Sequence, residues 1–112
     1  MDIKDWYKVS FDDETITRKA QPPNGEAWDD SLRFEDIIRV CYQIEDMLVS
    51  DGIYLFTSKR EESYAIPAEA QGGAELVGEL VRRKLFDAKL LIDAMSATEG
   101  LFCWPPEEQA AK

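Results

Sequence analysis

The feature that most constrains the fold is a change of apolar spacing at Gly72-Gly73. Ahead of it apolar and polar residues mostly alternate, and behind it the apolar residues recur at helical spacing. Alternation puts one set of side chains on each face of a sheet, whereas the longer repeat gathers them along one stripe of a helix. The chain therefore reads as one α+β domain over residues 1–104, strands first and helices after, with a frayed polar tail over 105–112.

Within the first part, Tyr7, Val9 and Phe11 form one alternating set, Asp12, Asp13 and Glu14 interrupt it, and Thr15 to Ala20 resumes it with β-branched residues. The spacing predicts a hairpin with an acidic turn. Gln21 to Gly25 (QPPNG) has two prolines that cannot donate to a sheet ladder and an Asn-Gly that takes positive φ, so a loop is expected. A short strand around Ala27 to Asp30, a bend over Ser31 to Ile37 and a strand from Ile38 to Ile44 follow, the last with Ile38, Val40, Tyr42 and Ile44 on one face and Cys41 on the other.

Glu45 to Gly52 fits one helical turn or a wide hairpin loop, and strand then turn is the preferred reading. Ile53 to Ser58 is apolar on both faces, which predicts a central strand; Lys59 to Glu62 is a charged turn into Ser63 to Ile66, ended by Pro67. From Ala74, Leu76, Val77, Leu80, Val81 and Leu85 make a helical stripe, while Glu75, Glu79, Arg82 and Arg83 face away. Asp87 is placed to cap a second helix carrying Leu90, Leu91, Ala94 and Met95, Gly100 to end it, and Phe102 to Trp104 to form an apolar clip.

Charge narrows the partners. With 23 acidic against 13 basic residues the formal charge is −10, and such a field repels phosphate backbones and anionic lipid headgroups. Nucleic acid and membrane are thus disfavoured. No run approaches the roughly 18 apolar residues of a membrane span, and MDIKDWYK lacks a signal-peptide layout, so a cytoplasmic location is expected. There Cys41 and Cys103 would stay reduced, and with neither redox nor zinc-ligand spacing they read as packing residues.

The chain has no histidine, which removes the usual general base, the Ser-His and Cys-His pairs and the commonest metal ligand. Gly72-Gly73 precedes a helix but lacks the Lys and Ser/Thr of a phosphate loop, so it reads as a hinge. The carboxylate pairs Asp12-Asp13, Asp29-Asp30, Glu35-Asp36 and Glu45-Asp46 remain as sources of acid/base chemistry or cation ligands. Neighbours on a strand point to opposite faces, and none of these pairs has calcium-loop spacing, so they read as solvated turn acids. Lys59-Arg60 sits in a turn, and Arg82-Arg83-Lys84 complements a helix C-terminus. No catalytic, cofactor-binding or metal-ligating residue is assigned, and no enzyme or cofactor is expected.

The order of segments WDDSLRFEDIIRV, DGIYLFTS and SYAIPAEA followed by an amphipathic helix resembles bacterial pleckstrin-homology-like (PH-like) domains. Trp28, Ile37, Val40, Ile66 and Pro67 carry the likeness, which spans roughly Trp6 to Phe86. The resemblance implies a bent antiparallel sheet, sandwich or open barrel, with one or two C-terminal helices, one of them plugging an end, and no enzyme. In lipid-binding members the first hairpin loop is basic, whereas the corresponding loop here is Asp12-Asp13-Glu14, which opposes phosphate.

The function expected is a non-catalytic binding or self-association domain, working through a sheet edge or the face around the second helix on a protein partner or as a homo-oligomer. The alternative is an acidic inhibitor or immunity-type protein that neutralises a basic partner. A metal-and-carboxylate enzyme is the third reading.

Overall fold

The computed structural model describes residues 3–44 and 51–106. The N-terminal alternation becomes β1 (Tyr7–Phe11), β2 (Thr15–Ala20) and β3 (Trp28–Arg33), which form an antiparallel three-stranded sheet in that order. Tyr7 lies opposite Ala20 and Phe11 opposite Ile16, so the acidic turn closes the expected hairpin. The third strand is longer than its sequence suggests, because Ser31 to Arg33 continue the pairing with β2 through Thr15.

A 3-10 turn at Phe34–Asp36 then leads into β4 (Ile37–Ile44), followed by β5 (Gly52–Thr57) and β6 (Arg60–Pro67). Helices α1 (Gly73–Arg82) and α2 (Ala88–Ser96) come next, and β7 (Gly100–Trp104) ends the described chain's regular structure. The second sheet is antiparallel in the order β6-β5-β4-β7. As the apolar run of β5 required, that strand is interior.

The architecture is therefore α+β with two antiparallel sheets, of three and four strands, and no closed barrel among the described residues. One expectation is corrected by β7: the segment after the second helix is a strand of the sheet. Gly100 does not end α2 but starts β7, at φ +141°, where a Cβ would lie 3.1 Å from the Phe102 ring. The Glu45 to Ser50 turn and the tail from Glu107 lie outside the described residues.

Ile16, Val40, Ile53, Leu55, Ile66, Leu76 and Leu80 are essentially sealed from solvent and form one core with the inward residues of both sheets. Ile38 departs from the plain alternation. A register shift between Ile37 and Arg39 turns Ile37 inward and leaves Ile38 59% exposed. Val40, Tyr42 and Ile44 keep the expected inner face.

Two devices tie the parts together. Gly72 takes φ +87° where the β1 backbone passes so close that a Cβ would lie 2.0 Å from the Val9 carbonyl oxygen. The Val9 N–H donates to Gln71 O (2.8 Å), and the Gln71 N–H donates to Tyr7 O (3.0 Å), so the hinge ahead of α1 is also stitched to β1. The second device is Arg18, a buried charged side chain on β2. It donates to both Asp30 oxygens (2.8 and 2.5 Å) and to the Ala65 carbonyl on β6 (2.8 Å), a carbonyl that also accepts from the Tyr7 hydroxyl (2.9 Å). The three-stranded sheet thereby bonds to the rim of the four-stranded one.

Candidate functional site

The C-terminal unit is built from α2 outward. The Asp87 carboxylate accepts from the Leu90 N–H (2.9 Å), as its position predicts, and starts a helix that buries Ala94 and half-buries Leu90 and Leu91. Met95 was expected in that stripe, but the short helix turns it out, 55% exposed, next to Ile92 at 66%. After Gly100, β7 runs antiparallel along β4 with Phe102 opposite Tyr42 and Trp104 opposite Val40. Phe102 and Trp104 pack on the core, while Leu101 and Cys103 occupy the other face.

Cys103 lies opposite Cys41 and forms a disulfide with it. The expectation of two reduced packing cysteines is corrected: the strand register brings together two residues 62 apart in sequence. Beside this join, burial pushes the Tyr42 hydroxyl's pKa up, and the Asp51 charge adds to the shift, so the phenol stays neutral at physiological pH.

Being last in its sheet, β7 is hydrogen-bonded on one side only to a strand among the described residues. Leu101, 61% exposed, projects from it, and α2 with Ile92 and Met95 packs alongside. The unit thus offers an outermost strand, with three large exposed apolar side chains carried on β7 and α2.

The carboxylate pairs do not converge. Asp12 turns its carboxylate onto its own loop, accepting from the N–H groups of Glu14 (2.9 Å) and Thr15 (2.8 Å), and these bonds first, with Arg83 after them, lower its pKa. Asp30 holds Arg18 while Asp29 is exposed on the opposite face, and Glu35 meets Arg33 at 3.1 Å. The Asp36 carbonyl accepts from the Ser58 N–H (3.0 Å). Glu45-Asp46 lies outside the described residues. Among the described residues no group of three or more His, Cys, Asp or Glu is placed to hold a metal ion.

The arginines of the basic runs are likewise engaged internally. Arg60 stacks over Tyr64 at 3.6 Å and donates to the Glu62 and Ser63 carbonyls. Arg82 and Arg83 both bond Glu79, and Arg82 first, then Arg83, holds that carboxyl down at about 2. Arg83 was expected to face away from the sheet. Instead it reaches the Asp13 carbonyl (2.8 Å) and lies 3.7 Å over the Phe34 ring, latching α1 to the first hairpin turn. That turn is closed by its own acid and by a cation from the helix.

Sequence reasoning missed the β7 pairing, the disulfide and the buried Arg18. A signal for the first lay in Gly100 to Trp104, where Leu101 and Cys103 alternate with Phe102 and Trp104, as Cys41 alternates with Val40 and Tyr42. Comparison of the chain with protein-family models, with curated proteins and with solved structures gives no match.

Proposed function

We propose that this chain is a non-catalytic binding or self-association domain of the PH-like kind, and that its working surface is the β7 edge with the exposed side of α2. The observation that carries the reading is the combination of an outermost strand paired on one side with Leu101, Ile92 and Met95 left in solvent beside it. An edge strand offers unpaired backbone groups to another strand, and apolar flanks supply the area that backbone bonding alone lacks. A second copy is the simplest occupant, since two β7 edges related by a two-fold axis pair antiparallel through the same residues.

The acidic-inhibitor reading draws less support, because Asp12, Asp30 and Glu79 are each held by groups of this chain. No described helix is long and apolar enough to cross a membrane. The Cys41–Cys103 bond favours an oxidising compartment over the cytoplasm, where thiols are kept reduced.

Light scattering on size-fractionated protein over a range of concentrations tests the proposal. Self-association that Leu101→Asp abolishes, with the circular dichroism spectrum kept, is the expected result. A strict monomer at every concentration counts against a second copy as the occupant.

A further inference from the structure

β7 is held to the molecule differently from the other strands. Each of β1 to β6 carries at least one buried side chain, whereas in β7 Gly100 and Leu101 are exposed and Phe102, Cys103 and Trp104 are only half-buried. A segment that buries so little apolar surface is among the first to open locally, because packing is what opposes the gain in chain entropy. Within its sheet it pairs with β4 alone among the described residues, from Gly100 to Trp104, and the Cys41–Cys103 bond is the covalent member of that pairing.

The bond also lies within reach of a reagent. Cys103 shares a face of β7 with Leu101, which is 61% exposed, and the opposite face carries Phe102 and Trp104 against the core. Cys41 is only 5% exposed, so of the two it is Cys103 that a thiolate from solution reaches first. Access of this kind separates disulfides that exchange in the folded protein from those that wait for unfolding. Opening the bond leaves the rest of the fold standing. β4 keeps its pairing with β5, from Ile37 opposite Thr57 to Gln43 opposite Gly52, and Arg18 and Arg83 hold the three-stranded sheet independently of β7.

We propose that the Cys41–Cys103 bond is a thiol-sensitive switch on the β7 association surface, opened by a dithiol reductant, an inference that rests on the β7 edge being the working surface. One thiolate of the reductant bonds to Cys103 Sγ, the S–S bond breaks, and its electron pair leaves on Cys41 Sγ, which takes up a proton. The second thiolate of the reductant then attacks the reductant sulfur bonded to Cys103, whose Sγ leaves with the electron pair and is protonated in turn. The reductant departs as a disulfide, and the chain has gained two electrons and two protons. With the bond gone β7 leaves β4, so the edge strand and Leu101 are withdrawn together and the backbone groups of Val40 to Ile44 that faced them are uncovered. The oxidised domain offers the β7 surface, and the reduced domain does not.

The test is reduction of the folded full chain by dithiothreitol at several concentrations, with mass spectrometry after alkylation of free thiols, and light scattering and NMR of both forms. The rate should rise in proportion to dithiothreitol, with the first mixed disulfide on Cys103. The reduced chain should keep a cooperative melting transition and the amide signals of β1 to β3, β5 and β6, lose the native signals of β7, and self-associate at least tenfold more weakly. A rate that ignores the dithiothreitol concentration overturns the proposal, since the bond then opens only after global unfolding. So do a first mixed disulfide on Cys41, native β7 signals in the reduced chain, loss of signals from both sheets, or association that survives reduction. Leu101→Asp, which abolishes association without touching either cysteine, should be reduced at the same rate and release β7 equally. A chain that is monomeric while oxidised thus overturns the association reading, and the NMR comparison decides the switch separately.

Discussion

In the three-stranded sheet each strand pairs with its neighbour in the chain, β1 with β2 and β2 with β3, whereas the four-stranded sheet takes its outer strand β7 from beyond two helices. The first sheet is assembled from short loop closures and tied to its surroundings by side chains: Arg18 to Asp30 and Ala65, and Arg83 to the hairpin turn. The second must close a long loop before β7 gains anything from β4, and a covalent bond between Cys41 and Cys103 secures that join. Two unequal construction rules in one core predict unequal responses to perturbation.

The largest response is expected from the covalent join. Closing a loop between residues 62 apart restricts the unfolded chain enough to contribute about 4 kcal/mol. Cys41→Ser/Cys103→Ser should therefore lower the unfolding free energy in urea by about that amount. A loss below about 1 kcal/mol would mean that β7 holds its place by packing alone, and the contrast between the sheets would collapse.

Next in size is Arg18→Ala, which strands the partly exposed Asp30 carboxylate and frees the Ala65 carbonyl. Breaking such a pair costs about 3 kcal/mol, and the effect should be the same with the disulfide intact or reduced, since Arg18 and Asp30 both lie outside the loop it closes. A double-mutant cycle with the cysteine variant measures this. Strong coupling would join what the comparison separates.

The smallest effect is acid sensitivity of the hairpin latch. Glu79 has its carboxyl held at about 2, below its ordinary 4.5, first by Arg82 and then by Arg83, and the Asp12 value is lowered by the Glu14 and Thr15 N–H groups. A carboxyl lowered in the folded state stabilises above its unfolded value and loses that contribution as pH falls through the folded one. Amide shifts of Glu14 and Thr15 followed by NMR from pH 6 to pH 2 should thus move late, below the ordinary carboxyl range, and Glu79→Gln should remove the Arg83-dependent part. Movement centred on ordinary carboxyl values would show the latch to be unimportant.

The same contrast explains what the sequence made legible. The first hairpin, the QPPNG loop, the central strand, read over Ile53 to Ser58 and found over Gly52–Thr57, and both helices follow from local periodicity and capping, and Asp87 caps α2 as its position requires. What escaped depends on residues distant in sequence. β7 is five residues long, and its status as a strand is decided by a partner on β4 rather than by its own composition. The cysteine pair could be read only once that register was known. Arg18 in the run TITRKA looks like a solvated residue, and its burial follows from Asp30 and Ala65 arriving from two other strands. Ile38 was lost to a single register shift.

Of the β7 surface, the sequence showed that an apolar segment followed the helices, and the fold showed that it forms an edge.

Hydrogen–deuterium exchange with and without a dithiol reductant tests the division most directly. Reduction should speed exchange over Gly100 to Trp104 and along the facing residues of β4, while the amides of β1 to β3 keep their protection. Equal loss of protection in both sheets, or none in β7, would contradict it.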